Sequence, residues 1–245
     1  AINKAKNKLN GRITIGGQEH YYLEGQVALA IPTEDSEMIV HSSTQNPTEV
    51  QHLVAHVLGT PHNAIEVVTR RMGGGFGGKE SDSSQLACIC AIFAQLCNLP
   101  VKASLSRMDD ILMTGKRHDF VADYDVGYSD DGKIQGIKID LAARCGYSLD
   151  LSKAIVSRAL FHADNAYYIP NATFRGFLCK TNTASNTAFR GFGGPQGMLA
   201  IENIIEEYLF MEDIDEVKTF IDNYILKKNL QIKFVEIALD YGKKN

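Results

Sequence analysis

Residues 71–80 read Arg-Met-Gly-Gly-Gly-Phe-Gly-Gly-Lys-Glu, with five glycines in the six positions from Gly73 to Gly78. No regular helix or strand favours such a run, because glycine loses more backbone freedom on folding than any other residue. An ordered run therefore marks a place where the main chain approaches something closely or takes positive φ. A second stretch of the same design, Arg190-Gly191-Phe192-Gly193-Gly194-Pro195-Gln196-Gly197, occurs far downstream. Each puts one Phe between glycines, and each precedes an apolar segment of helical character. The fold must bring strands to an end and start helices around both bends.

The flanking patterns predict that scaffold. Alternation at 12–15, 26–31, 38–43, 65–69, 101–106, 120–128, 133–143 and 172–180 predicts strands. Ser129-Asp130-Asp131-Gly132 predicts a hairpin turn. Asn46 as N-cap, Pro47 at the first helical position and Glu49 three residues past the cap predict a helix. Val50, Leu53, Val54, Val57 and Leu58 form its apolar face, and Gly59 ends it. Further helices are predicted over 83–97, 154–162 and 198–210. The fold class is α+β, with a mixed sheet and helices.

Composition narrows the function. An apolar content of 44% supplies a core, and a net charge of −4 gives no basic footprint for nucleic acid. No run approaches the roughly 18 apolar residues of a membrane span. The polar start AINKAKNKLNGR lacks a leader pattern, so the expected location is cytoplasmic. Cys88, Cys90, Cys97, Cys145 and Cys179 have no spacing of a disulfide framework or an iron–sulfur site. Cys88 and Cys90 read as buried thiols on a helix, and no metal-ligand set is assigned.

Two phosphate patterns overlap the first glycine run. Gly73-x-Gly75-x-x-Gly78 spells a dinucleotide fingerprint, but any glycine run satisfies that spacing, and Glu80 and Asp82 come too early for its ribose acid. Gly73-x-x-x-x-Gly78-Lys79 nearly spells a P-loop, with Glu80 where a magnesium-binding Ser or Thr belongs. A tight turn without ligand is the third reading.

Six motifs then occur in order over about residues 11–206: GGQEHYYLE (16–24), SSTQNP (42–47), RMGGGFGGKE (71–80), TGKRHDF (114–120), SRALFHADNAYYIPN (157–171) and KTNTASNTAFRGFGGPQGM (180–198). Together they resemble the molybdenum-cofactor-binding region of the xanthine dehydrogenase family of molybdenum hydroxylases. The resemblance implies the first molybdopterin-binding domain of that family, over 1–206, and a molybdenum-pterin cofactor. It implies hydroxylation of hypoxanthine or xanthine with water-derived oxygen. Gln45, Gly75, Phe76, Gly77 and Arg190 would face the cofactor, Gln45 through its side chain and Arg190 through its backbone. Glu80 and Arg158 would bind the purine from opposite sides and act in catalysis, with Arg158 stabilising charge that builds on the ring. Phe192 would stack on that ring.

Each residue also has a plainer reading. Gln45 could cap the following helix, Arg158 could form a surface ion pair, Glu80 could favour a helix dipole, and Phe192 could pack in the core. His118 and His162 read as local hydrogen-bonding groups. Related aldehyde-oxidising members carry apolar residues at the positions of Glu80 and Arg158, so the resemblance favours hydroxypurines.

The family's molybdenum region continues well past 245 residues, with a second stacking Phe and a general-base glutamate. The expectation is that this chain alone is inactive, and that iron–sulfur and FAD groups lie on partner chains or other segments of an oligomeric enzyme. Residues 207–245 depart from the family pattern and read as a helical tail. A non-catalytic remnant or partner-binding module of the same fold, and a glycine-loop nucleotide-binding protein, remain as alternatives.

Overall fold

The structure, a computed structural model, describes residues 1–211, with side chains through residue 208. It contains two four-stranded sheets, each backed by a pair of helices. The first sheet runs β1 (Asn7–Ile15), β6 (Phe120–Tyr128), β7 (Ile134–Gly146), β8 (Ala172–Lys180). The second runs β4 (Ile65–Val68), β3 (Met38–Ser42), β2 (Val27–Pro32), β5 (Val101–Ser104). The helices are α1 (Pro47–Leu58), α2 (Ser83–Cys97), α3 (Arg107–Met113), α4 (Ser152–Phe161) and α5 (Gly194–Met211). The fold is mixed α+β, as the sequence predicts.

Each sheet has its own core. Phe120, Val126, Ile139 and Leu141 of the first sheet pack with Ile155 and Ala159 of α4 and Ile201 and Ile204 of α5. Ala28, Ala30, Val40 and Ile65 of the second pack with Val50 and Val54 of α1 and Ala87, Cys90, Ala91 and Ala94 of α2. Small residues on both sides let α2 lie close over β2. Burying each larger aliphatic side chain contributes on the order of 1.5–3 kcal/mol.

Local signals explain most elements. Asn46 Oδ1 accepts from the Glu49 amide (3.2 Å), and Gly59 ends α1 at φ 68°. The β6–β7 hairpin closes through Ser129 and Lys133, with Gly132 at φ 70°. Strands β7 and β8 run parallel, joined by the crossover that contains α4. Gly176 on β8 permits this packing: a Cβ there would lie 2.4 Å from Val156 Cγ1.

Several boundaries differ from expectation. β1 begins at Asn7 rather than 12, because Leu9 faces inward while the polar residues around it face outward. The strand expected over 101–106 stops at Ser104, and Ser106 caps the unexpected α3 by accepting from Asp109 N. On α1, Val50, Val54 and Ala55 are buried, whereas Leu53 and Val57 are 40% and 48% exposed. The sheet covers a narrower arc than five apolar positions span. The cysteines are free, with Cys90 buried and Cys88 half-buried on α2.

Among the described residues no helix is long and apolar enough to cross a membrane. The tail expected over 207–245 lies outside the described residues, apart from the end of α5.

Candidate functional site

The two glycine stretches share one central turn. Gly78 N donates to Gly75 O (2.8 Å), and Gly194 N donates to Gly191 O (3.0 Å). The central residues have φ of 54° and 104° at Phe76 and Gly77, and 49° and 90° at Phe192 and Gly193. Positive φ at both central positions is the mark of a type I′ turn, which favours Asn or Gly at the first of them. A Phe there costs roughly 1–2 kcal/mol. That cost recurs at the same place in both turns. Phe76 is 47% exposed, so its burial offsets only part of it. Phe192 is half-buried against the first core.

The turns abut. Arg190 N donates to Phe76 O (2.9 Å), and a Cβ at Gly77 would stand 2.6 Å from Ala188 O. His20 Nε2 lies 2.6 Å from that same carbonyl oxygen. Part of the bare backbone therefore serves the fold itself. A Cβ at Gly193 would lie 2.0 Å from Ile155 O, and one at Gly197 2.1 Å from Ala159 O. These two glycines seat the second turn and α5 against the backbone of α4, the helix that carries Arg158.

Gln45 organises the first turn. Its Oε1 accepts from Gly77 N (2.8 Å) and Lys79 N (3.3 Å). Asn46, not Gln45, caps α1. A Cβ at Gly75 would collide with Gln45 Oε1 at 2.5 Å. A side chain at Gly75 would therefore displace Gln45 before it reached any ligand. The Gln45 side-chain amide nitrogen and the backbone amides of Gly75 and Phe76 donate to no other described group. The Arg190 amide, which the resemblance assigned to the cofactor, is engaged by Phe76.

Lys79 removes the cation from the nucleotide reading. Its ammonium is buried, 3.0 Å from Glu24 Oε2, 2.8 Å from Ser43 Oγ and 4.8 Å from the centre of the Tyr22 ring. Burial lowers its pKa, and Glu24 opposes that shift. Glu24 Oε2 also accepts from Gly73 N (2.9 Å). The pair clamps both ends of the glycine run and turns the lysine away from any phosphate on the outer side.

Glu80 is half-buried, with its amide donating to Gly77 O (3.3 Å). Burial first, then the charges of Asp150 and Glu49, raise its carboxyl pKa above the ordinary value. Arg158 is exposed in the last turn of α4, with no ion pair to another described residue. Contacts thus join Gln45, Gly75, Phe76, Gly77, Glu80 and Arg190 into one constellation. Phe192 stands in the adjoining turn, and Arg158 projects from the helix beneath it.

The TGKRHDF segment staples the two halves. Gly115 N donates to Asp82 Oδ2 (2.9 Å), and Lys116 pairs with Glu19 (2.8 Å). Arg117 donates to the Arg190 carbonyl (2.7 Å), and His118 lies 2.7 Å from Ser152 Oγ. Burial pushes the Asp82 carboxyl up to about 7 and the His118 ring down to about 4. Asp82, Arg117 and Lys79 gained no role from sequence reasoning. The quoted motifs contained all but Asp82, yet spacing does not reveal which side chains turn inward.

The comparisons agree with this geometry. The family model described as the molybdopterin cofactor-binding domain matches residues 1–223. Xanthine dehydrogenase of Emericella nidulans is 50% identical over 208 residues, covering 84% of this chain and 15% of that protein. Nicotinate hydroxylase of the same organism is 46% identical over 220 residues, covering 89% and 16%. The aldehyde oxidoreductase of Desulfovibrio gigas superposes with a TM-score of 0.80 at 26% identity, over 89% of this chain and 24% of that one. CO dehydrogenase of Oligotropha carboxidovorans gives a TM-score of 0.81 at 24% identity, over 90% and 28%, a likeness of fold. This chain spans about 15% of the length of the curated relatives it matches. With two like turns joined by the Arg190–Phe76 bond and a family model covering most of its length, the chain belongs to the molybdopterin cofactor-binding domain family.

Proposed function

We propose that this chain forms the first cofactor-binding half of a xanthine dehydrogenase-like hydroxylase that acts on hydroxypurines. The observation that carries the reading is the paired turns, with strained aromatics and unengaged amides on adjoining loops. A molybdenum-pterin group fits these residues: the Gly75 and Phe76 amides and the Gln45 side-chain amide offer donors, and Phe76 offers an exposed apolar face. That group, when bound, supplies the redox and oxygen-transfer chemistry.

The chain's own residues bind and orient the substrate. Glu80, whose carboxyl pKa burial raises, can hydrogen-bond one edge of the ring. Arg158 offers an unpaired cation toward negative charge that grows on the ring. Phe192 supplies a stacking face. Two polar groups addressing different edges fix the orientation of a flat ring. Iron–sulfur and flavin groups, the general base and the closing half of the cleft come from segments or chains outside this one, and the isolated chain is inactive.

Molybdenum and pterin content of protein purified from its own host tests the reading. Near-stoichiometric content is expected in the complete assembly. Absence there would favour a non-catalytic, partner-binding module. A second reading is favoured by the nicotinate hydroxylase likeness, which covers slightly more of this chain. Turnover of pyridine carboxylates without turnover of hydroxypurines would select it.

A further inference from the structure

A buried cation without an anion stands behind the second glycine turn. Arg117 is only 8% exposed. Its Nε donates to Gln18 Oε1 (2.6 Å), its Nη2 donates to Arg190 O (2.7 Å), and its guanidinium lies 4.0 Å from the centre of the Phe189 ring. All three partners are neutral. Its Nη1 is buried and has no hydrogen-bond partner among the described residues. The acids nearest in this segment are already engaged, Asp119 by Arg144 (2.7 Å) and Glu19 by Lys116 (2.8 Å).

A desolvated charge without a counter-ion is strongly unfavourable. Burial lowers the pKa of this arginine, and no carboxylate acts to raise it. Such a group persists where an anion arrives from elsewhere. Its position indicates where. The carbonyl it holds belongs to Arg190, whose amide bonds Phe76 of the first turn. A Cβ at Gly191 would lie 4.0 Å from Nη1. The charge therefore sits against the second turn, linked through Arg190 to Phe76 of the first.

We propose that Arg117 is the counter-charge for the anionic molybdenum-pterin group at the two glycine turns, acting as a positioning residue. This rests on the cofactor-binding reading above. It acts through space, since Nη1 is enclosed, and it fixes the second turn through the Arg190 carbonyl. At an effective dielectric near 20, a unit charge about 12 Å from an anion changes binding by roughly ten-fold.

The test uses the complete enzyme, as wild type, Arg117→Lys and Arg117→Met, made in a host that synthesises the cofactor and in one that does not. Pterin fluorescence follows cofactor release in dilute urea, and Tm is read for loaded and cofactor-free forms. The expectation for Arg117→Met is release about ten-fold faster and a smaller Tm rise on loading. Arg117→Lys, which keeps the charge, should release within about two-fold of wild type. Equal Tm loss in loaded and cofactor-free forms with unchanged release would make Arg117 a packing residue and overturn the proposal. Fast release from both variants would also overturn it. If Arg117→Met does not accumulate, the release rate of Arg117→Lys decides alone by the same limits. Wild-type enzyme without pterin from the synthesising host would overturn the cofactor reading itself, whatever the variants do.

Discussion

Phe76 and Phe192 occupy left-handed backbone conformations that large side chains rarely adopt. Glycine would sit at either position without that strain. Strain retained at two equivalent positions points to a task for the rings. Phe76→Gly in the cofactor-free protein should leave stability unchanged or raise it by up to about 1 kcal/mol, because the burial lost offsets only part of the strain relieved. Urea denaturation checks this. A loss above about 1 kcal/mol would mean that Phe76 serves packing. Glu80 and Arg158 belong to the same scale. In the complete enzyme, Glu80→Val and Arg158→Met should cut purine kcat/KM by about 100-fold or more while aldehyde turnover falls far less. Equal losses on both substrates would contradict their proposed substrate-facing roles. The motifs drew attention to these residues. The orphaned state of Arg117 was not, because it depends on where Asp119 and Glu19 find their partners across the fold.

Among the elements, the turn before α2 and the TGKRHDF segment carry a half-buried carboxyl and a buried imidazole of opposite sense. Asp82, raised to about 7, contributes stability that is fully present below its unfolded pKa of about 4 and lost as pH rises through about 7. His118, lowered to about 4, contributes stability that is present above its unfolded pKa of about 6.5 and lost as pH falls through about 4. Between pH about 4 and 6.5 the two slopes oppose each other. Asp82→Asn should expose the histidine, so that stability rises with pH across that window relative to wild type. His118→Gln should expose the carboxyl, so that stability falls as pH rises toward about 7. Urea titrations at stepped pH check the signs. Parallel slopes in both variants would contradict the assignment. Elements with strong local signals, such as α1 with its Asn46 cap, were readable in advance. The seven-residue α3 is too short to show a period, and the first half of β1 hides Leu9 among polar neighbours.

At the scale of the whole molecule, two sheets with separate cores meet at a polar layer of loops. The sequence indicated the class and the two bends, and the family likeness indicated why they recur. It could not indicate that Gly193 and Gly197 serve helix packing, because Ile155 and Ala159 approach them only in the folded chain. The two bends meet through the Arg190–Phe76 bond, and the account depends on the cofactor binding at that junction. The most direct measurement is an experimental structure of the complete, cofactor-loaded enzyme. The account predicts pterin density against the Gly75 and Phe76 amides, with the Arg190–Phe76 bond intact. Density for the cofactor elsewhere, or turns drawn apart and filled by the chain's own side chains, would contradict it.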